Sequence, residues 1–275
     1  MSYSSVLVFL DSSPASNSRL DFALRFAAHH SAHLTGLHMS GSPLLAFDPY
    51  GQNAVVSLEW EEEAHKKQRE SKEYFTQQAK NADINFDWEC YRDTDMHQVL
   101  TRARVADICI VGEVADGSSD IEIGRNFFSQ FAINVGKPVL FIPHDKYFSC
   151  ELKNVVVAWD GSREAARAIS DAMPLLKAAR IVSVISVISK KYRTEELPDV
   201  DIAAFLARHK VNVEIDKIEK ISSEAADFIL SRVDLKCADV LVMGAFGHTR
   251  FSEFILGGVT RSVMQKMIVP VLMSH

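Results

Sequence analysis

The sequence predicts an α/β protein built as two tandem doubly wound domains, each a five-stranded parallel sheet flanked by helices. Two observations carry this. Short apolar runs alternate with stretches whose apolar residues recur at helical spacing. The chain also repeats itself. SSVLVFLDSS (4–13) returns as LKNVVVAWDGS (152–162), VADICIVGEVADG (105–117) as CADVLVMGAFGHT (237–249), and VGKPVLFIPH (135–144) as MIVPVLMSH (267–275). In the last two pairs, Gly112 and Gly244 and then Pro138 and Pro270 share one offset, 132 residues. The junction falls near 145–151, giving expected domains of 1–146 and 152–275.

In the second half, strands are expected near 154–159, 181–187, 211–218, 239–244 and 269–273. Helical patterns fill REAARAISDAMPLLKAA, DIAAFLARH, SEAADFILSRV and TRSVMQKM. Strands joined through helices pair in parallel by right-handed crossovers, so both faces of the sheet are covered. The first half carries an addition between its strands HLTGLHM and INFDWECY. There an aromatic, Pro- and Gly-containing loop, GSPLLAFDPYGQNAVVS, leads into the charged helix LEWEEEAHKKQRESKEYFTQQAKN. The helix reads as an amphipathic cover with a solvated face, and the insert at 44–60 as a lid or a surface for a protein partner.

With 275 residues, 47% hydrophobic and 24% charged, the chain has the make-up of a folded globular protein. A net charge of −6 gives no general attraction for nucleic acid or an anionic membrane, so any anion must be held by a local device. The start, MSYSSVLVFLDSS, has no basic segment of a signal peptide, and no apolar run approaches the roughly 20 residues of a membrane span. A cytoplasmic protein is the expectation. Cys90, Cys109, Cys150 and Cys237 form no CxxC pair, which suits reduced thiols.

Four of the 12 glycines stand in the pattern Gly244-x2-Gly247-x9-Gly257-Gly258, between a strand and the final helix. Open α/β sheets bind ligands at the carboxyl ends of their strands. Asp11, Asp160, Gly112 and Gly244 all fall at such ends. Glycine there lets backbone turn sharply and approach a ligand. Gly257 and Gly258 come immediately before the last helix, expected to begin near Thr260 after Val259, and at that helix N-terminus free amides and the peptide dipoles favour an anion. The Gly257 to Thr260 amides, with the Thr260 hydroxyl, are expected to face a phosphate chain, and ordinary turn and cap glycines are the competing explanation. His248, inside the same loop, either meets a phosphate when protonated or is simply exposed.

The DGS after the first strand of the second half, the glycine pattern and the closing VPVL strand resemble the universal stress protein family in tandem form. The resemblance implies an adenine nucleotide, ATP or AMP, with magnesium as a companion of ATP. It places Asp160 beside the adenosine, the Val187 backbone at the adenine edge, and Met243 and Gly244 beneath the ribose and first phosphate. Gly247, Gly257, Gly258, Val259 and Thr260 match the implied phosphate loop, with Gly258 where the family usually has Ser or Thr. In the family the last strand pairs two subunits. Here the closing strands of the two halves are expected to pair as an internal pseudo-dimer, removing two open sheet edges, with homodimerisation as a further step.

The first half departs from this pattern. The 132-residue offset sets Ala115 against Gly247, Arg125 against Gly257, Asn126 against Gly258 and Phe128 against Thr260, so no family-type nucleotide site is expected there. The leading reading is a nucleotide-responsive stress regulator, and the alternatives are a nucleotide-free interaction scaffold and a weak ATPase. No catalytic residue is assigned. His29 and His33, four apart, are read on one helical face, and too few ligands accompany them for a zinc site.

Overall fold

The computed structural model describes residues 2–40, 58–92, 95–112, 127–144, 146–186, 198–216, 225–247 and 258–275. The first half runs β1 (Ser5–Leu10), α1 (Pro14–His30), β2 (His33–Ser40), α2 (Leu58–Asn81), β3 (Phe86–Arg92), α3 (Met96–Ala103), β4 (Ile108–Gly112), α4 (Phe127–Asn134) and β5 (Val139–Ile142). The second runs β6 (Asn154–Trp159), α5 (Arg163–Asp171), α6 (Met173–Ala178), β7 (Ile181–Ser186), α7 (Pro198–Arg208), β8 (Val213–Asp216), α8 (Ala225–Leu235), β9 (Val240–Gly244), α9 (Gly258–Lys266) and β10 (Val271–Ser274).

The ten strands among the described residues form one sheet in the order β3-β2-β1-β4-β5-β10-β9-β6-β7-β8. Each half therefore has the same order of its own five strands, reversing direction between its first and fourth. Pairing is parallel within each half, as the helical crossovers require. The halves meet where β10 runs antiparallel to β5, with Leu272 opposite Leu140 and Val271 opposite Phe141. The expected internal pseudo-dimer is thus a shared sheet, and each half's closing edge is covered by the other's.

Alternation along buried strands sends successive side chains to opposite faces. Val6, Val8, Leu140, Leu272, Val155 and Val157 pack on one face with residues of α1, α2, α5, α6 and α7. Leu7, Phe9, Phe141, Met273 and Val156 pack on the other with residues of α3, α4, α8 and α9. Both cores continue across the junction. Polar contacts add to it: the Tyr3 hydroxyl donates to the Asp171 carbonyl at 2.9 Å, and Arg167 Nη2 to the Gly136 carbonyl at 3.1 Å.

Two local expectations change. The helix anticipated over 163–179 is two, broken at Ala172, because Pro174 in the first turn of α6 has no N–H for a continuous helix and its ring meets the preceding turn. His29 and His33 do not share a helical face. Ser31, at φ 53°, closes α1 with its N–H on the Ala27 and Ala28 carbonyls. His33 then opens β2 and lies 3.0 Å from an Asp87 carboxylate oxygen. The insert at 44–60 lies outside the described residues up to 57, and the side chains of 58–60 with it. Among the described residues, no helix is long and apolar enough to cross a membrane.

Candidate functional site

The second-half site is organised by the turn from β6 into α5. Asp160 Oδ1 accepts the Ser162 N–H at 2.9 Å, closing a tight turn over Gly161. That glycine has φ +76°, a left-handed conformation that other residues adopt only with strain. Ser162 Oγ accepts the Ala165 N–H at 3.1 Å and so caps α5, satisfying one of the amides that its first turn leaves open.

Gly244, at the carboxyl end of β9, lies under that first turn. A Cβ on it would stand 2.5 Å from the Ala165 nitrogen and 2.7 Å from the Glu164 carbonyl carbon. The missing side chain therefore allows α5 to approach β9. A Cβ on Gly247 would stand 3.0 Å from Glu164 Oε2 and 3.6 Å from Ser162 Oγ. Between them, Phe246 is left-handed at φ 58°, and its N–H donates to Thr260 Oγ1 at 3.1 Å. Thr260, 4% exposed, thus fastens this turn to α9 through the hydroxyl that the sequence assigns to phosphate. Among the described residues, nothing beyond its chain neighbours and its own helix lies within 4 Å of where a Cβ on Gly258 would be, and Val259 beside it is exposed. Met243 is buried, in register with Ala158 on one side and Met273 on the other. Val187, His248 and Gly257 lie outside the described residues.

The structure brings further groups here that the glycine pattern does not reveal. Trp159 and Ser186 are register partners at the carboxyl ends of β6 and β7, one residue before Asp160 and Val187. Trp159 Nε1 and Ser186 Oγ are both shielded from solvent, and neither has a hydrogen-bond partner among the described residues. Such orphans are costly unless a ligand or water meets them. Glu164 is the other. Its side chain is 6% exposed and its carboxylate pairs with the Arg163 guanidinium, itself 60% exposed. As the second residue of α5, it also meets the positive end of the helix dipole.

The corresponding crevice of the first half is filled from within. Asp11 Oδ1 accepts the Ser13 N–H at 2.8 Å, repeating the Asp160 turn. Arg19, 3% exposed, reaches under this turn from α1. Its Nε donates to the Phe9 carbonyl at 2.6 Å and its Nη2 to Asp11 Oδ2 at 2.7 Å. A Cβ on Gly112 would be 1.8 Å from Arg19 Nη1, so the guanidinium occupies the space above the end of β4. Burial by itself raises the Asp11 carboxyl, but the Arg19 charge and the hydrogen bonds from Ser13 and Arg19 outweigh it and hold the group below its ordinary value.

Phe128, the counterpart of Thr260, packs edge-on to Phe9 with ring centroids 5.6 Å apart, in a cluster with Phe127 and Phe131. Ala115, Arg125 and Asn126 lie outside the described residues. The counterparts of Trp159 and Ser186 are Leu10 and His38, paired in register. His38 is 1% exposed and stacks on Trp88 with centroids 5.7 Å apart, so its Nδ1, without a partner among the described residues, is buried. A cavity of about 490 Å³ opens beside the Asp11 turn, between α1 and α2. Glu63 and Glu70 face it alongside Lys67, an arrangement that disfavours phosphate. Among the described residues, no group of three or more His, Cys, Asp or Glu is placed to hold a metal.

Residues 151–275 match the universal stress protein family. No curated protein sequence matches the chain. Among solved structures, a universal stress protein from Archaeoglobus fulgidus DSM 4304 aligns with 98% of this chain and 95% of its own, at 18% identity and a TM-score of 0.73. A putative universal stress protein from Pseudomonas aeruginosa UCBPP-PA14 aligns with 99% and 93%, at 16% identity and a TM-score of 0.63. A universal stress protein in complex with cAMP matches 52% of this chain and 98% of its own, at 16% identity and a TM-score of 0.34. By sequence the second half, residues 151–275, belongs to the universal stress protein family, and over both halves the chain shares the fold of these solved universal stress proteins.

Proposed function

We propose that the protein binds one adenine nucleotide, ATP or AMP, in its second half and acts as a nucleotide-responsive regulator. The observation that carries the reading is a pair of polar atoms unpartnered among the described residues, Trp159 Nε1 and Ser186 Oγ, on register-paired residues at the strand ends next to Asp160. A nucleoside offers donors and acceptors that meet such groups, and strand carboxyl ends are where this class of sheet takes its ligands. Asp160 and the backbone of Val187 are assigned to the adenosine, and Met243 and Gly244 to the support beneath the ribose. Gly247, His248 and the Gly257 to Thr260 segment are assigned to phosphate. The start of α9 at Gly258, exposed and clear of side chains among the described residues, fits that role. When bound, the nucleotide supplies a charged phosphate group, and this chain's part is to hold and read it.

The first half is proposed as a non-binding partner, with Arg19 and the phenylalanine cluster taking the room a nucleotide needs. The domain limits 1–146 and 152–275 belong to the same proposal. Nucleotide occupancy would shift the protein's conformation or association in proportion to its differential affinity for the two states.

The test is to purify the protein without added nucleotide, denature it, and identify the released small molecules by chromatography and mass spectrometry. About one adenine nucleotide per chain is the expected result, as one working anion site predicts. Gly257→Arg, which copies the first half, should abolish binding in calorimetry while leaving the circular dichroism spectrum intact. No released nucleotide, together with no binding of ATP or AMP on titration, overturns the reading.

A further inference from the structure

We propose that Glu164 sets the ligand class of the second-half site, favouring adenosine or its monophosphate over free triphosphate. This rests on the nucleotide reading above and deepens it. The carboxylate lies under the glycine turn that the phosphate path must cross. Its Oε2 is 3.0 Å from where a Cβ on Gly247 would stand, and its own Cβ is 2.9 Å from that of Gly244. Only 6% of the side chain is exposed. A charge in that position is poorly screened by salt, so whatever part of it Arg163 and the α5 dipole leave uncompensated acts strongly on any second anion brought beside it.

The cations among the described residues nearby offset it only in part. In the β6–α5 turn, the 244–247 turn and the first residues of α9, the described cations are Arg163 and Arg261, both exposed. Arg163 is already committed to Glu164. Each added phosphate brings negative charge towards this carboxylate, whereas the adenosine end, at Trp159, Ser186 and Asp160, lies on the neighbouring strand ends. The same position in the first half, set by matching Asp11 to Asp160, is Ala15. The carboxylate is therefore a feature of the half proposed to bind, and it discriminates by phosphate number.

The experiment measures Kd for adenosine, AMP and ATP by calorimetry in EDTA at fixed ionic strength, for the wild type and Glu164→Gln. In the wild type, AMP should bind at least as tightly as ATP. Glu164→Gln should tighten ATP by about tenfold or more and change adenosine by less than about twofold, because only the charge-dependent part is removed. Arg163→Gln, at an exposed position that does not threaten folding, should do the opposite and weaken ATP relative to adenosine. That variant carries the test if Glu164→Gln fails to fold. An ATP-to-adenosine Kd ratio that stays constant across the proteins overturns the proposal while leaving the nucleotide reading in place. Binding of none of the three ligands to any of the proteins removes both.

Discussion

Arg19→Ala should destabilise the protein strongly, and the size follows from the geometry. The guanidinium and the Asp11 carboxylate are 2.7 Å apart, with side chains 4% and 13% exposed. Two unit charges at that distance attract by about 6 kcal/mol at an effective dielectric constant of 20. Desolvation offsets part of this in the intact pair, but removing one partner leaves a buried, uncompensated acid, which costs about 3–5 kcal/mol. The Phe9 carbonyl also loses its donor. The assay is guanidinium unfolding followed by far-ultraviolet circular dichroism. Asp11 is held below its ordinary value in the fold, so its pairing contributes fully above the unfolded carboxylate range and is lost as pH falls through the lower, folded value. The gap between wild type and Arg19→Ala should therefore be full at pH 7 and narrow towards pH 3. Asp11→Asn should cost at least about 1 kcal/mol less in the Arg19→Ala background than in the wild type, because the two residues are coupled. A gap under about 1 kcal/mol at pH 7, or one that does not change with pH, would refute the buried-pair reasoning.

Further predictions follow from single contacts. Gly244→Val places side-chain atoms against the Ala165 nitrogen, 2.5 Å from the Cβ, and should lower stability by about 3 kcal/mol in thermal unfolding. Cys109 is fully buried and burial pushes its thiol up to about 12, so a thiol reagent at pH 8 should reach it only after unfolding, whereas the exposed Cys237 reacts at once. His30 is pushed down to about 4, chiefly by burial and then by the neighbouring His29. The unfolded chain binds a proton there from about pH 6.5 downward that the folded chain refuses until about 4, so stability falls across that window. His30→Gln should flatten that part of the pH–stability curve, and an unchanged curve would count against the assignment.

The fold was legible because its signals are local and repeated. The helix over 58–81 coincides with α2, and the apolar runs that end in Asp11 and Asp160 became the parallel strands β1 and β6. What the sequence did not show is what those elements bring together. Arg19 stands eight residues after Asp11, on a helix where surface arginines are ordinary, and only the packing of α1 against β4 reveals that its guanidinium fills the space above Gly112. The matching position after Asp160 is Ala168, so superposing the two aspartates would have exposed a large residue opposite a small one. Glu164 was hidden for a similar reason: the glycine pattern looks along the last loop, while the carboxylate enters from α5, some 80 residues earlier in the chain. Gly244 is bare for a reason the pattern does not give, the close approach of that helix. A glycine spacing reports where backbone comes close to something without saying whether that is a ligand or another part of the chain.

The antiparallel join between β5 and β10 has a consequence for how the two halves share their work. Because each half is parallel within itself, the carboxyl ends of β1 and β4 point one way and those of β6 and β9 the other. The two crevices therefore open at opposite edges of one sheet, and no ligand reaches both. Any influence of one on the other must pass through the packed strands, where Leu140 faces Leu272 and both cores are continuous. On the proposed reading, in which the first half is a non-binding partner with Arg19 above Gly112, that half contributes no ligand-dependent state of its own. Its rigid packing is instead a fixed support for β10, and through β10 for β9 and the Gly244 turn. Opening it by Arg19→Ala should thus weaken the second site only to the extent that it loosens this shared sheet, and stability and affinity should fall together.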